Sequence, residues 1–427
     1  IKLYNDPTWV DAKTNLIINE KMDRIYAGDM DKWELFCKAI RARLWLRKLP
    51  NWDNTPATCN KIIAMVDEVL NDANWQEPRY YYPGGVTESN CPWGPYAPKI
   101  NSWESRDNRL ATSLPTTFFM HGILGSYDHK DGQFKTTRGY ALDPRASRMM
   151  EQRTEEKNNS MRHLESNIGG DIDKTIVNYP NLLAADNPYT QNTGYIALIT
   201  REELMFIKAE AQYWLGQKAE AYNTTKQAVE RSFERYTVRG NIGELNKNGT
   251  VKVDEEGLIN MFYTLRMPAD NFTIAILMQQ KYVAMYLQPE QWTDVRRYNY
   301  SSTTNGIQYD GVPVYVVENV YDQTKDGTVK LDNFNQTFEL TRPYNIYEPE
   351  WMTDKDRGNQ FKFSANAWVN RISADPETEE KYNKAELERI GAYKNPNWMR
   401  KRMVWQRHIN PGTAVTSKGD GDWDDWN

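Results

Sequence analysis

Few side chains in this 427-residue chain are spaced for catalysis. It has no His-Glu-x-x-His zinc helix, no Gly-x-Ser-x-Gly nucleophile turn, no phosphate-cradling Gly-rich loop and no dinucleotide fingerprint. Its 4 His leave little material for imidazole acid–base or metal chemistry. Asp128, His129 and Asp131 suggest a metal site, but they flank an Asp-Gly pair that favours a solvated turn. Asp420, Asp422, Asp424 and Asp425 offer oxygen ligands without the Gly and Glu spacing of a calcium loop, and an acidic tail is the better reading. Carboxylates are plentiful enough for a two-carboxylate glycosidase, yet no pair stands out. Glu202 and Glu203 sit at a helix start, where negative charge complements the dipole. Asp294 beside Arg296 and Arg297 suits a structural turn locked by an Asp-Arg pair better than a ligand clamp, and Asp143-Pro144-Arg145 is read the same way. The expectation is a non-enzyme without metal or cofactor.

Aromatic rings are the richer chemistry. The 15 Trp and 26 Tyr outnumber the 12 Phe, which favours rings with a polar handle over plain core filler. Between Asn71 and Arg109 the chain has neither helical nor strand period, many Pro and Gly, and the rings of Trp75, Tyr80, Tyr81, Tyr82, Trp93, Tyr96 and Trp103. A plain connection has a median of about four to six residues, so a loop this long points to function or to an interface. Such rings stack on sugar faces or wedge against peptide side chains, with Asn90, Asn101 and Arg106 at hand for hydrogen bonds. Pinning the loop to its scaffold is the competing role for each. The candidate ligand-binding residues are Trp75, Tyr81, Tyr82, Trp93, Tyr96, Asn101 and Trp103. Tyr298, Tyr300, Tyr315, Tyr321, Tyr344 and Tyr347 could share that surface, in a loop region with a β-element at Val312 to Val317 and a tract from Phe338 to Tyr347. A possible hairpin lies within Phe118 to Tyr140.

The elements that must carry these loops are helices. Leu204, Ile207, Ala211 and Leu215 recur at steps of three or four, with Glu202, Lys208 and Gln212 on other faces. Gly216 breaks that helix, and a second follows with Ala221, Ala228 and Val229 turned back on the first. Residues 30 to 48 place Trp33, Phe36, Cys37, Ile40 and Leu44 on one predicted face. Pro50 stops this helix, and another is expected over about 56 to 70. A further helix runs from about Thr273 to Leu287. This stretch alone fits an ordinary helical hairpin as well as a tetratricopeptide unit, whose Leu-Gly and small-residue positions fall at Leu215, Gly216 and Ala228, and the recurrence of helix pairs favours the latter.

Composition narrows the class further. The chain is too long for one small core, its mean hydropathy is strongly negative, and no apolar run nears the roughly 20 residues that span a bilayer. A net charge of -5 without a basic block argues against a nucleic-acid or anionic-membrane surface. Cys37, Cys59 and Cys91 lack metal-ligand spacing; Cys37 and Cys59 lie on consecutive predicted helices, where a bridge and two free thiols are both open.

The run Ile25-Tyr-Ala-Gly-Asp-Met-Asp-Lys-Trp33 before an Arg-rich helix resembles the SusD/RagB family of Bacteroidota outer-membrane lipoproteins, in its SusD-like branch. Further matches follow in the family's order: Asp143-Pro144-Arg145, the Glu203 to Tyr236 hairpin, Gln279-Gln-Lys-Tyr282 with Trp292-Thr-Asp-Val-Arg-Arg297, and Asn395-Pro-Asn-Trp-Met399 before Arg402-Met403. The resemblance implies a mainly α fold: a tetratricopeptide-like helix-pair scaffold with a long-loop, aromatic-rich lobe and minor β. One domain over residues 1–427 is expected, its scaffold at about 20–70, 198–236, 271–300 and 380–405, its loop lobe at about 71–197 and 299–380. It implies a lipid-anchored protein on the extracellular face of the outer membrane. That protein would bind an oligosaccharide or peptide and act as the lid of a SusC-like TonB-dependent transporter. A structural accessory subunit of a larger outer-membrane assembly and a surface glycoside hydrolase are the alternatives. Family members open with a signal peptide, a lipid-bearing Cys and the first helical repeats, whereas this sequence opens at Ile1, so the amino-terminal part is expected to be missing. Trp398-Met-Arg-Lys-Arg402 and the acidic close also depart from the family's usual Arg-Pro-rich end.

Overall fold

The computed structural model describes residues 23–86, 89–94, 115–116, 118–125, 143–150, 182, 187–238, 255–323, 329–341, 368–372, 374–375, 377–395, 398–399 and 401–406. Helices dominate them, as expected, and two antiparallel strand pairs, one short and one longer, supply the sheets.

The first helix, α1 (Met30–Leu46), starts where Asp29 accepts hydrogen bonds from the backbone N–H groups of Asp31 and Lys32. The second, α2 (Pro56–Leu70), starts at Thr55 with Pro56 in its first turn, where a missing N–H is harmless. After strand β1 (Arg79–Tyr81) come a wide π-helical turn over Phe118–Ile123 and a short helix α3 (Ala146–Met149). Strand β2 (Tyr195–Ala197) pairs with β1 in the register Arg79↔Ala197, Tyr80↔Ile196 and Tyr81↔Tyr195.

The hairpin α4 (Arg201–Trp214) and α5 (Lys218–Arg235) follows. Thr200 Oγ1 caps α4 by accepting from Glu203 N, and Gly216, at φ +86°, closes it in the left-handed region that glycine tolerates best. Next are α6 (Glu255–Arg266), α7 (Ile274–Ala284) and α8 (Glu290–Arg297). Strands β3 (Val316–Gln323) and β4 (Val329–Glu339) form a hairpin with a bulge between Val320 and Asp322. Two short helices, α9 (Glu379–Tyr382) and α10 (Lys384–Arg389), lie near the carboxyl end.

Helix α4 is the hub, packed on α1, α2, α5 and α7. Leu204, Ile207 and Ala211 enter a smaller core with α1 and α2, while Phe206, Ala209 and Tyr213 enter a larger one with α5, α6 and α7. A helix covered on both sides has little room for a solvent face. Glu202 and Gln212, expected on other faces, are therefore buried with the apolar stripe, and only Met205 and Lys208 within Glu202–Tyr213 remain half-buried.

Helix α1 also corrects the sequence reading. Its buried face is Leu35, Ala39, Ala42 and Leu46, whereas Trp33, Phe36 and Ile40 are half-buried and Cys37 and Leu44 exposed. Ala at the contact lets the α1 backbone approach its neighbours closely, which the larger side chains would prevent. Cys37 therefore faces away from Cys59, which is buried, and both are free thiols. Helix α6 went unpredicted. The β-element expected from Val312 begins at Val316 and extends into a two-stranded hairpin, which takes in Phe338. The suggested hairpin around Asp128, His129 and Asp131, the acidic close, and Tyr344 and Tyr347 lie outside the described residues.

Candidate ligand platform

After α2 the chain turns at Asp72, whose Oδ1 accepts from Asn74 N, and drops Trp75 into the smaller core. Trp75 is 9% exposed, so it pins the loop rather than offering a ring to a ligand. This corrects its placement among the ligand-binding candidates. The next residues climb back to the surface: Gln76 O accepts from Tyr26 Oη at 2.9 Å, and β1 pairs with β2. The pairing gives residues expected to be aperiodic a strand alternation, with Tyr80 and Tyr82 on one side and Arg79 and Tyr81 on the other.

Tyr81 is 53% exposed and caps a ladder of rings that runs inward. Its centroid lies 5.4 Å from Tyr195, Tyr195 lies 5.2 Å from Tyr189, and Tyr189 lies 6.4 Å from the fully buried Tyr236. Across the strand the Tyr80 and Tyr82 rings meet edge to face at 5.0 Å, and Arg24 Nη1 donates to Tyr80 Oη at 2.9 Å. Tyr82 is half-buried and continues the strand contact, its N–H donating to Gly194 O at 3.1 Å.

Residues 82–86 and 89–94 lie on the turn at 187–194. Cys91 N donates to Asn192 O at 2.9 Å, and a Cβ on Gly94 would stand 3.0 Å from both Asn192 Cα and Gln191 O. Trp93, beside this contact, is half-buried against the larger core. Asn90 is buried. Tyr96, Asn101, Trp103 and Arg106 lie outside the described residues. The structure thus brings Tyr81, Tyr82 and Trp93 to one region and sends Trp75 inward. It also buries Tyr298, Tyr300 and Tyr315, which serve the core rather than a second surface.

Beneath Tyr81 and Tyr195 lies an ion network that the sequence reading missed. Arg79 donates from Nε and Nη2 to Glu77 Oε2 at 2.8 and 2.5 Å and from Nη1 to Tyr81 Oη at 3.2 Å; its guanidinium sits 4.6 Å over the Tyr195 ring. Arg235 donates from Nη2 to Glu77 Oε1 at 2.6 Å, from Nη1 to Tyr195 Oη at 2.7 Å, and side-on to Glu202. Arg201 N donates to Glu77 Oε1 at 2.7 Å. Burial works against the Glu77 charge, but the Arg235 and Arg79 guanidiniums outweigh it and hold its pKa below the ordinary value. Glu202 and Glu203, given only a helix-dipole role from sequence, are buried partners of Arg235 and Arg43, with Arg43 Nε 2.6 Å from Glu203 Oε1.

Two of the motifs, Asp143-Pro144-Arg145 and Asp294 with Arg297, build the core. Arg145 and Asp143 are fully buried and paired at 2.6 Å, as expected, and Arg145 also donates to Gln280 Oε1 at 2.8 Å and Ser232 Oγ at 3.1 Å. Asp294 pairs with Arg297 at 2.7 Å and with Lys281 at 2.8 Å, a structural lock, although set in α8 rather than in a turn. Among the described residues no group of three or more His, Cys, Asp or Glu is placed to hold a metal. No helix among them is long and apolar enough to cross a membrane.

No protein-family model matches the chain, and neither does any curated protein. Among solved structures it is similar to a SusD homologue from Parabacteroides distasonis at 17% identity and a TM-score of 0.48, over 94% of this chain and 70% of the other. SusD homologues from Bacteroides fragilis and Bacteroides vulgatus are each 12% identical with a TM-score of 0.47. The first covers 92% of this chain and 71% of its own, the second 94% and 68%.

Proposed function

We propose that this chain is a single-domain SusD-like binding protein that captures an oligomeric nutrient, an oligosaccharide or a peptide, and passes it to a SusC-like TonB-dependent transporter as its lid. It acts on the extracellular face of the outer membrane, held there by a lipid anchor. The observation that carries the binding role is the exposed Tyr81 ring on a preset ladder of tyrosines, with guanidinium and hydroxyl groups around it. Rings of this kind stack on flat ligand faces while their polar groups order hydrogen bonds.

Support for the family comes from the motifs that carry the sequence resemblance. The motifs from Asp143 to Arg297 meet in the core: Arg145 with Gln280, Lys281 with Asp294, and Glu210 of the hairpin with Arg297. Motifs that assemble in the core act as a fold signature, and they leave the aromatic loop to choose the ligand. Binding without turnover is supported by the state of the nearest carboxylates. Among the described residues around the ring ladder, Glu77 and Glu202 each take guanidinium groups and serve as charge partners that hold the scaffold.

The test is to purify the full-length protein from its native outer membrane, identify the main partner by mass spectrometry, and screen it against glycan and peptide panels. A SusC-like barrel and saturable binding without product release are expected. A different multi-subunit assembly with no ligand would make the chain an accessory subunit, and release of reducing ends would make it a hydrolase.

A further inference from the structure

We infer that Glu77 is the positioning residue of this platform: a single carboxylate that, through Arg79, sets where Tyr81 stands. The inference rests on the reading that Tyr81 meets the ligand. Glu77 leads directly into β1 and its side chain is 11% exposed, between the strand and the α4–α5 hairpin. Its two oxygens face different ways. Oε1 takes Arg235 Nη2 and the N–H of Arg201, both on the helical scaffold, and Oε2 takes two nitrogens of Arg79 on the strand. The third Arg79 nitrogen, Nη1, then reaches the Tyr81 hydroxyl while the guanidinium plane covers Tyr195.

A purely charge-balancing role does not require this geometry. Arg235 already has a side-on carboxylate in Glu202, so the second oxygen of Glu77 is spent on the strand. Strand β1 is three residues long and pairs only with β2 among the described residues. A two-stranded ladder of that length is marginal in water, so a side-chain anchor decides how firmly it is held. A ring held in place before binding loses less freedom when the ligand arrives, and the ligand binds more tightly for it.

Deuterium exchange, read by mass spectrometry on the whole protein without ligand, tests this. The variants are Glu77→Gln, Arg79→Met and the two combined. Each single change is expected to speed exchange in residues 79–82 roughly tenfold, because local opening there no longer breaks a charged hydrogen bond. The double variant should exchange no faster in 79–82 than either single one, since both act through the same arm. Unchanged exchange in Glu77→Gln, or additive effects in the double variant, would overturn the inference. Should Glu77→Gln not fold, Arg79→Met decides: 79–82 must loosen while 201–204 stays protected, and equal loosening of both would show a general structural role. Ligand binding by Tyr81→Ala is the separate check on the platform itself. Full affinity in that variant would remove the ligand reading and leave the exchange result standing.

Discussion

Arg297 and Glu210, 87 residues apart in the chain, meet end-on in the core, with Nη1 to Oε1 at 2.8 Å and Nη2 to Oε2 at 2.7 Å. Asp294 takes the same guanidinium from the other side, Tyr298 Oη donates to Glu210 Oε1, and Arg297 Nη1 also donates to Leu49 O. One guanidinium thereby ties α4, α8 and the end of α1 together. Glu210→Gln leaves that buried cation half-compensated and is expected to cost about 3–5 kcal/mol in urea unfolding. Glu234→Gln, which breaks the exposed pair with Arg231, should change stability by less than about 1 kcal/mol.

Acid should weaken the fold through a small set of carboxylates. Burial raises the Asp294 pKa, but Lys281 and Arg297 outweigh it and leave it below the ordinary 3.8; Glu77 is likewise held below 4.5. Asp53 is held at about 2, where hydrogen bonds from Thr58, Thr55 and Lys48 overcome a burial penalty. A carboxylate with a depressed folded pKa stabilises fully above its unfolded pKa and loses that share as pH falls through the folded value. Glu203 works in the opposite sense, because burial raises its pKa despite Arg43, so its share grows on acidification. Where the depressed carboxylates titrate, the urea midpoint is therefore expected to fall from about pH 4 toward pH 2. Asp294→Asn should flatten part of that fall, and an unchanged slope would show that this pair does not set it.

Trp75 and Tyr81 should separate stability from binding. Trp75→Ala empties a site in the smaller core and is expected to cost about 3–5 kcal/mol. Tyr81→Ala removes a half-exposed ring and should cost less than about 1 kcal/mol while abolishing ligand binding. Thermal unfolding and a binding isotherm on both variants check this. Normal stability in Trp75→Ala would contradict the burial of its ring.

What the sequence made legible follows from what selects each residue. Helix α2 and the hairpin about Gly216 appear where apolar spacing places them, because burial there acts on large aliphatic side chains. The face of α1 is misread because Ala39 and Ala42 win the contact by being small, and a count of hydrophobic groups ranks Trp33 and Leu44 above them. Gly257 in the first turn of α6 blurs its helical start. In the platform the ring types and the loop are legible, but the difference between Trp75 and Tyr81 depends on β1 meeting β2, which no local pattern announces. Glu77 is invisible for the same reason, since Arg235 lies 158 residues away in the chain.

Two glycines give the last contrast, because a methyl group meets different obstacles at each. At Gly216 a Cβ would find nothing within 4 Å, so Gly216→Ala suffers only from its positive φ and should cost about 1 kcal/mol. At Gly94 the same Cβ would press within 3.0 Å of the backbone at Asn192 and Gln191, atoms that cannot swing aside. The loop must then lift from the turn at 187–194, which strains the Cys91 N to Asn192 O bond and shifts Trp93 beside it. Gly94→Ala is therefore expected to weaken ligand binding at least tenfold with a global stability loss of only about 1–2 kcal/mol, since the strain is taken up by one surface loop. Gly216→Ala should leave binding unchanged at a similar stability cost. Binding isotherms and urea unfolding on the two variants compare them directly; equal affinity in both would mean that the seating of this loop does not set the platform.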